Sequence, residues 1–375
     1  MPTFTRRTMI GTVAAGAAAS LLPSTPAAAS GTVKPQVDAT LTRAIAAGFP
    51  GLVVGAFDGN DGYVAGAGTT AGPGSPKPDG RTIYQLGSIT KTFTALLLAE
   101  AVEQGVIRLD DPLARYLPRQ LTLPKPAHGE IRLRDVATQS AGLPSLPPNL
   151  LTQPGFDPQD PYATYTEQDL ADGLRATKLV SQPGTAYLYS NLGVALLGQA
   201  MANLAGTDYA NTARRFATSP LGLRDTTLGL TSEQLARKAS GHATDGTPTP
   251  DWHLPTFAGA GALYGTVDDQ MRYLHALFGQ APVRLRPTLK LVQQPMFTPP
   301  TTANLRLGLA WHMTPLPTSK RTMVWHNGGT GGFTTFTGFC PQTRTGVTLL
   351  TNISKLDQVD EISVKLLDAL DARHG

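Results

Sequence analysis

Strand-like segments lie at both ends of this chain and helix-like segments lie between them, which limits the folds open to it. The strand patterns are bounded by turn residues and occupy 51–57, 63–68, 308–312, 322–326, 333–340 and 346–351. Helical periodicity occupies 37–47, 88–104, 133–138, 168–176, 192–204, 209–216, 267–278 and 359–372. We therefore predict one sheet built from both ends of the chain, with a helical lobe inserted between them.

The composition excludes several classes of function. Of 375 residues, 41% are hydrophobic and 15% are charged, which is typical of a globular chain with a large core. Lys and Arg total 31 against 27 Asp and Glu, and they are scattered, so we expect no nucleic-acid partner. The only cysteine, Cys340, excludes an internal disulfide and a thiolate zinc site, and its neighbours predict a packed thiol.

The first 29 residues have the pattern of an export signal. Arg6 and Arg7 precede an apolar run at 9–22, and an Ala-rich segment follows at 27–29. The paired arginines resemble a twin-arginine signal. A membrane anchor is the alternative, but the run is short and rich in Ala and Gly. We expect cleavage, a periplasmic or extracellular location, and no stable membrane insertion of the mature protein.

Other catalytic motifs fail on their context. No G-x-S-x-G or H-E-x-x-H occurs, and the seven histidines are dispersed. The glycines at 66 and 68 imitate a dinucleotide fingerprint, but Gly-Pro-Gly follows where a helix must begin, and the glycine run at 328–332 lacks a P-loop lysine. We expect neither a cofactor nor a metal.

Ser88 and Lys91 form the first candidate motif, at the start of the predicted helix 88–104. A spacing of three residues places the hydroxyl and the amine on one helical face. The helix N-terminus supplies N–H groups suited to an oxyanion. A lysine that acts as a base needs its pKa lowered by roughly three units, or about 4 kcal/mol, which burial can provide. Alternatively, the ammonium lowers the pKa of a nearby tyrosine.

The second motif is Tyr189 and Asn191, which follow a Pro-Gly turn and precede a helix. In such a loop, side chains can point into a cleft. Tyr209 and Asn211 have the same spacing, but they lie in a predicted amphipathic helix, so we interpret Tyr209 as structural.

The third motif is a strand end, Trp325 to Asn327, followed by a glycine-rich connection at 328–332. Glycines allow a substrate to lie against the backbone, where a main-chain N–H can serve as an oxyanion donor. His326 precedes this connection.

These motifs, in this order, resemble those of the serine β-lactamase and DD-peptidase superfamily. The version is that of class C β-lactamases, secreted DD-carboxypeptidases and related esterases and D-aminopeptidases, and the resemblance runs from about residue 37 to the C-terminus. It implies an α+β (α/β) fold with a central, mostly antiparallel sheet flanked by helices, and an inserted all-helical lobe. Within a domain at 30–375, we expect an α/β lobe at about 37–87 and 280–375 and a helical lobe at about 88–279.

The resemblance also implies roles for individual residues. Ser88 would be the acylated nucleophile, and Lys91 and Tyr189 would handle the proton, the tyrosine commonly being the base in this branch. The oxyanion hole would be the N–H groups of Ser88 and Gly329. The predicted substrate-binding residues are Asn191, His326, Asn327 and Gly328.

Departures from the family pattern bear on the substrate. Class C β-lactamases usually have Lys where this chain has His326, and the DD-carboxypeptidases follow their His with hydroxyl residues that hold a terminal carboxylate. Asn327 and Gly329 stand at those places here.

The leading hypothesis is a monomeric hydrolase of D-amino-acid peptides (peptidoglycan peptides) or β-lactams. A related esterase or D-aminopeptidase and a non-catalytic penicillin-binding sensor are the alternatives. Candidate cleft aromatics, for each of which core packing is the more common role, are Trp252, Phe257, Tyr264 and Trp325.

Overall fold

Strands from the two ends of the chain pair with each other in the computed structural model, which describes residues 31–375; the predicted signal at 1–29 lies outside the described residues. The strands are β1 Gly51–Asp58, β2 Asp61–Gly68, β3 Tyr84–Gln85, β4 Tyr264–Gly265, β5 Arg306–Leu307, β6 His312–Pro315, β7 Thr322–Gly329, β8 Thr334–Cys340 and β9 Thr345–Thr351. The helices are α1 Val33–Ala46, α2 Thr90–Glu103, α3 Leu133–Ala137, α4 Glu167–Ala176, α5 Asn191–Ala205, α6 Tyr209–Ala213, α7 Ser232–Ala236, α8 Ala258–Gly261, α9 Val267–Leu277, α10 Arg286–Val292 and α11 Leu356–Asp371.

The main sheet has the strand order β2-β1-β9-β8-β7-β6-β5, and its neighbours are antiparallel throughout. Residues 52–58 pair with residues 345–351, so the first hairpin is joined directly to the last strand. β3 and β4 form a separate two-stranded sheet. The predicted fold class, with a mostly antiparallel sheet built from both chain ends, is therefore confirmed.

Helices cover both faces of the sheet because the side chains of β1 and β8 alternate between two apolar clusters. Leu52 and Val54 pack with α1 and α11 on one face. Val53 and Phe57 pack with α9 and the central helices on the other. No helix among residues 31–375 is both long and apolar enough to cross a bilayer.

The division into two lobes stays a prediction. The position of α9 is relevant to the predicted boundary near residue 280. This helix falls in the predicted helical lobe, yet Phe57 of β1 packs against His275 and Phe278 at its C-terminal end, at ring-centroid distances of 4.3 and 5.7 Å. A Cβ at Gly55 would meet Val267 and Met271 within 2.8 Å, so α9 lies directly on the sheet.

Three parts of the fold meet beside the sheet: the start of α2, the loop before α5 and the end of β7. The turn that leads into α2 lies close against β7 because a glycine on each segment has no side chain to hold the two backbones apart. Gly87 has φ +52°, and a Cβ on it would lie 2.8 Å from the nitrogen of Gly329. A Cβ on Gly328 would lie 2.1 Å from the carbonyl oxygen of Leu86 and 2.9 Å from the nitrogen of Ser88. Glycine is therefore required at both positions.

Candidate active site

Ser88 and Lys91 lie side by side at the beginning of α2. Gly87–Ile89 form a short 3₁₀ turn that continues into the helix at Thr90, so the two side chains sit one turn apart on the same face. The Lys91 Nζ is 2.9 Å from the Ser88 Oγ. The predicted juxtaposition of hydroxyl and amine is present.

Lys91 is 0% exposed and its neighbours are neutral. Its Nζ also donates to the Oδ1 of Asn191 and to the carbonyl oxygen of Ala260, each at 2.7 Å. Burial lowers the pKa of Lys91 to about 7, because no carboxylate in the described part of the chain offsets the lost hydration of the ammonium. The lysine is thus partly unprotonated at neutral pH.

The partners of Lys91 also orient its lone pair. Both carbonyl oxygens can only accept hydrogen bonds, so they take the two N–H groups of a neutral amine. The third direction from Nζ points to Ser88 Oγ, where the amine can accept the hydroxyl proton.

Tyr189 lies beside this pair and is half-buried. The Lys91 Nζ is 5.0 Å from the centroid of its ring. Burial raises the pKa of Tyr189 above its ordinary value, and the nearby Ser88 hydroxyl opposes that rise to a smaller extent. The phenol is therefore neutral in the free protein and can donate a proton.

The loop that carries Tyr189 is held by a residue that sequence reasoning missed. Gln139 has the left-handed φ of +58° and is buried. Its carbonyl accepts from the N–H of Leu188 at 2.8 Å, and its Oε1 accepts from the N–H of Ser190 at 2.7 Å. Ser190 then caps α5 by accepting from the N–H of Gly193, which fixes Asn191 at the first turn. The partners are some fifty residues apart, so no local pattern reveals Gln139.

The end of β7 presents a main-chain N–H toward Ser88. The N–H of Thr330 donates to the carbonyl of Phe333 and closes a turn, so the adjoining pair Gly329 and Thr334 is of the non-hydrogen-bonded type. The N–H of Gly329 therefore points away from β8, on the side of Gly87 and Ser88. Ser88 is in the first turn of its helix, where N–H groups have no acceptor within the helix.

His326 is completely buried and its tautomer follows from its contacts. Its Nδ1 is 2.6 Å from the carbonyl oxygen of Asn327, which can only accept, so Nδ1 carries a proton. Burial holds the pKa of His326 well below its ordinary value, and the ring is neutral. Its Nε2 is consequently an acceptor, and it is buried without a hydrogen-bond partner among the described residues. The ring centroid of Tyr189 is 6.2 Å away.

The side-chain amide of Asn327 is hydrogen-bonded to an acidic residue of α11. Side chains alternate along β7, and the Nδ2 of Asn327 donates to the Oδ2 of Asp360 on α11 at 2.6 Å. Burial raises the pKa of Asp360 to about 6. Substrate binding by Asn327 stays a prediction, and its Nδ2 would have to leave Asp360 to serve it. Substrate binding by Gly328 likewise stays a prediction, and its backbone packs closely against Leu86 and Ser88.

A cleft opens beside Ser88. Its walls are largely aromatic and apolar, and none of its lining residues is cationic: Gly87, Ser88, Tyr162, Asn191, Trp252, Leu254, Phe257, Ala260, Gly261, Gly329 and Thr330. Two of the predicted cleft aromatics, Trp252 and Phe257, are among them. Tyr264 instead donates to Asp251, and Trp325 stacks on Phe336.

The rival Tyr-x-Asn pair lies elsewhere. Tyr209 is buried, and its hydroxyl is 2.6 Å from the Thr94 hydroxyl on α2. Asn211 donates to Asp208 at the start of α6. The interpretation of Tyr209 as a structural residue agrees with this packing.

Comparison with known proteins places this geometry in context. The sequence pattern of the family described as "Beta-lactamase" matches residues 34–369. The D-alanyl-D-alanine-carboxypeptidase/endopeptidase AmpH of Escherichia coli K12 is 28% identical over 340 residues, covering 88% of this chain and 86% of the relative. The beta-lactamase/D-alanine carboxypeptidase of Yersinia pestis, solved with citrate, superposes with a TM-score of 0.76 at 25% identity, covering 90% and 98% of the two chains. A class C beta-lactamase gives a TM-score of 0.78 at 22% identity over 90% and 96%, which shows the shared fold.

Proposed function

The chain belongs to the beta-lactamase family and is a serine hydrolase, and we propose that it is exported and works through an acyl-enzyme on Ser88. The observation that carries this proposal is the set of three hydrogen bonds around Lys91, which leaves the lone pair of a neutral amine directed at the Ser88 hydroxyl. Export rests on the signal-like pattern of the first 29 residues.

In acylation, Lys91 takes the proton of Ser88 as the oxygen attacks the substrate carbonyl carbon. The lowered pKa of Lys91 supplies a useful fraction of free amine near neutral pH. The opposite shift at Tyr189 argues against a phenolate base in the free protein. Lys91 is therefore the better candidate of the two for the first proton transfer.

The oxyanion is held by the N–H groups of Ser88 and Gly329. Both belong to backbone that is fixed where the turn at Gly87 lies against Gly328 and Gly329 of β7, so the donors are in place before the substrate arrives. Loss of one such donor commonly costs about 100- to 1000-fold in rate.

Breakdown of the tetrahedral intermediate needs a proton on the leaving group. The neutral phenol of Tyr189 donates it as the carbon–leaving-group bond breaks, and Lys91 returns a proton to the phenol. A water molecule then attacks the acyl carbon, and the same groups accept its proton and restore the Ser88 hydroxyl.

The substrates we propose are D-amino-acid peptides or β-lactams. The names of the relatives support this choice, since AmpH is a D-alanyl-D-alanine-carboxypeptidase/endopeptidase and similar structures are called class C beta-lactamases. Asn191 would hold the acyl side chain in the aromatic cleft while it accepts from Lys91.

The test is intact-mass spectrometry of the mature protein at intervals after addition of benzylpenicillin. We expect a penicilloyl adduct on the wild type and on Ser232→Ala, a control at an exposed serine, but none on Ser88→Ala. A persistent adduct would indicate a DD-peptidase or a sensor, and a transient adduct with penicillin consumed a β-lactamase. Equal acylation of Ser88→Ala would refute Ser88 as the nucleophile.

A second candidate function is hydrolysis of esters or amides that lack a carboxylate. Two observations favour this function. The side chain of Asn327 is hydrogen-bonded to the acidic Asp360, and no residue lining the cleft is cationic. A terminal carboxylate would find no opposite charge there, whereas an uncharged acyl group would suit Trp252 and Phe257.

A matched substrate pair separates the two functions. A peptide ending in D-Ala-D-Ala would be compared with the same peptide ending in a carboxamide, alongside p-nitrophenyl acetate, by kcat/KM. Preference for the free carboxylate supports the peptidase. A tenfold or greater preference for the carboxamide or the ester supports the second function.

A further inference from the structure

A buried histidine that no motif includes lies next to the proposed catalytic groups. His312, the first residue of β6, is 6% exposed. Its ring centroid is 5.1 Å from that of His326 and 6.4 Å from that of Tyr189, to which it is nearly parallel. On another side it stacks on Trp325 at 5.0 Å. His312 therefore contacts the second and third motifs together.

A tyrosine holds this imidazole. The hydroxyl of Tyr187 is 2.9 Å from the Nε2 of His312. Tyr187 is two residues before Tyr189 on the same loop, and the rings of Tyr187 and His312 meet edge to face at 5.9 Å. The contact thus ties the loop that carries the phenol to the sheet that carries His326.

Within residues 31–375, the groups around His312 include no counter-charge. The titratable groups that face it are Tyr187 and Tyr189 from the loop, His326 from β7 and Lys91 from α2. Among the described residues, no carboxylate contributes to the pKa of Lys91, His312, His326 or Tyr189. Burial lowers the pKa of His312 to about 4, with a smaller contribution from Lys91, so the imidazole is neutral.

We propose that His312, held by Tyr187, is a positioning residue that orients Tyr189 and His326 and keeps the surroundings of Lys91 free of a second charge. This inference rests on the proposed acylation of Ser88. A neutral imidazole can fill this place and bond to Tyr187 without attracting a proton to Lys91. A carboxylate in the same place would stabilise the ammonium of Lys91 and an imidazolium at His326.

The test compares His312→Gln with His312→Glu by the pH dependence of the acylation rate. The probe is benzylpenicillin or p-nitrophenyl acetate, whichever acylates the wild type. Glutamine keeps a neutral polar group toward Tyr187, so we expect the midpoint of the acid limb to stay within about half a pH unit of wild type. Glutamate should raise that midpoint by about one to three units, the usual effect of a nearby opposite charge. This shift tests the charge at the place of His312, and the positioning role is tested separately by the acylation rates of His312→Gln and Tyr187→Phe at fixed pH, with Tm measured alongside.

Two further variants keep the outcome decisive if His312→Glu does not fold. Tyr187→Phe removes the hydroxyl that holds the imidazole, and we expect about a tenfold slower acylation with little change in Tm. His275→Gln, a partly buried histidine on Phe57 away from Ser88, should leave acylation unchanged.

The inference is overturned if His312→Glu leaves the midpoint unmoved, or if Tyr187→Phe and His312→Gln both acylate at the wild-type rate. Failure of the proposed function itself is distinguishable, because wild type and Ser88→Ala would then behave alike with both probes.

Discussion

Asn191→Asp places a carboxylate beside the proposed base with almost no change in shape. The Oδ1 of Asn191 accepts from the Lys91 Nζ at 2.7 Å, and no carboxylate among residues 31–375 affects the pKa of Lys91 in wild type. Two opposite charges about 4 Å apart at an effective dielectric of 20 attract by about 4 kcal/mol, which corresponds to roughly three pKa units. The pKa of Lys91 should return from about 7 toward the ordinary value of 10.5.

The sign of the effect on activity follows from which form of Lys91 reacts. The free amine is the base, so acylation rises as the pH passes upward through the pKa. In wild type the midpoint of this rise should lie near pH 7. With the midpoint moved up by three units, the free-amine fraction at pH 7.5 falls by roughly 200-fold, and the acylation rate should fall with it and recover above about pH 10.

The assay is the single-turnover acylation rate from pH 5.5 to 10.5, with the adduct verified by mass. Asn191→Ala is the matched control, because it removes the same substrate contact without adding charge. The pH midpoint of acylation in Asn191→Ala should equal or lie below that of wild type, since Lys91 loses an acceptor that favours the ammonium. A midpoint in Asn191→Asp within half a unit of wild type, with the rate reduced equally at every pH, would refute Lys91 as the base.

Three other variants test separate parts of the site. Tyr189→Phe should slow acylation most for substrates with poor leaving groups and least for p-nitrophenyl acetate, as a kcat/KM comparison across leaving groups would detect; equal losses would argue against proton donation by the phenol. Gly328→Ala puts a methyl 2.1 Å from the carbonyl of Leu86, so we expect acylation to fall at least 100-fold, with Tm measured alongside; wild-type acylation would argue against this oxyanion strand. Gln139→Ala leaves the buried N–H of Ser190 without its acceptor, and thermal unfolding should show a loss of about 1–3 kcal/mol, whereas an unchanged Tm would contradict that role.

The three motifs and the fold class could be predicted because their signals are local or patterned along the chain. The spacing of Ser88 and Lys91 fixes their contact once a helix forms there, and the structure has them 2.9 Å apart. The strand signals at both ends predicted the shared sheet, and the pairing of β1 with β9 joins the two ends.

One strand was predicted too early, and the reason is a turn. The predicted strand 308–312 is β6 at His312–Pro315 instead. The N–H of Gly308 donates to the carbonyl of Trp311, and Ala310 has a φ of +60°, so the chain reverses there before the strand begins. Positive φ at an alanine leaves no signal in the sequence.

Long-range contacts of residues outside the three motifs could not be predicted. Ala260 accepts from Lys91 across 169 residues, and Tyr187 meets His312 across 125. In both cases the contact depends on how helices and strands pack and not on the residue types alone. A backbone carbonyl such as that of Ala260 has no sequence signature whatever.

The placement of carboxylates links the strength of the base to the choice of substrate. Lys91 can act as an amine because carbonyl oxygens, and not acids, accept its hydrogen bonds. The acidic group in contact with the third motif, Asp360, is bonded to Asn327, the next residue along β7 from His326, so its charge lies beside the oxyanion strand and makes no contribution to the pKa of the lysine. By holding the Nδ2 of Asn327, it can keep that amide from a substrate carboxylate without weakening the base. Asp360→Asn should therefore raise kcat/KM for the carboxylate-ended peptide relative to its carboxamide and leave the pH midpoint of acylation in place. A midpoint that moved with this substitution would mean that the two effects are not separate.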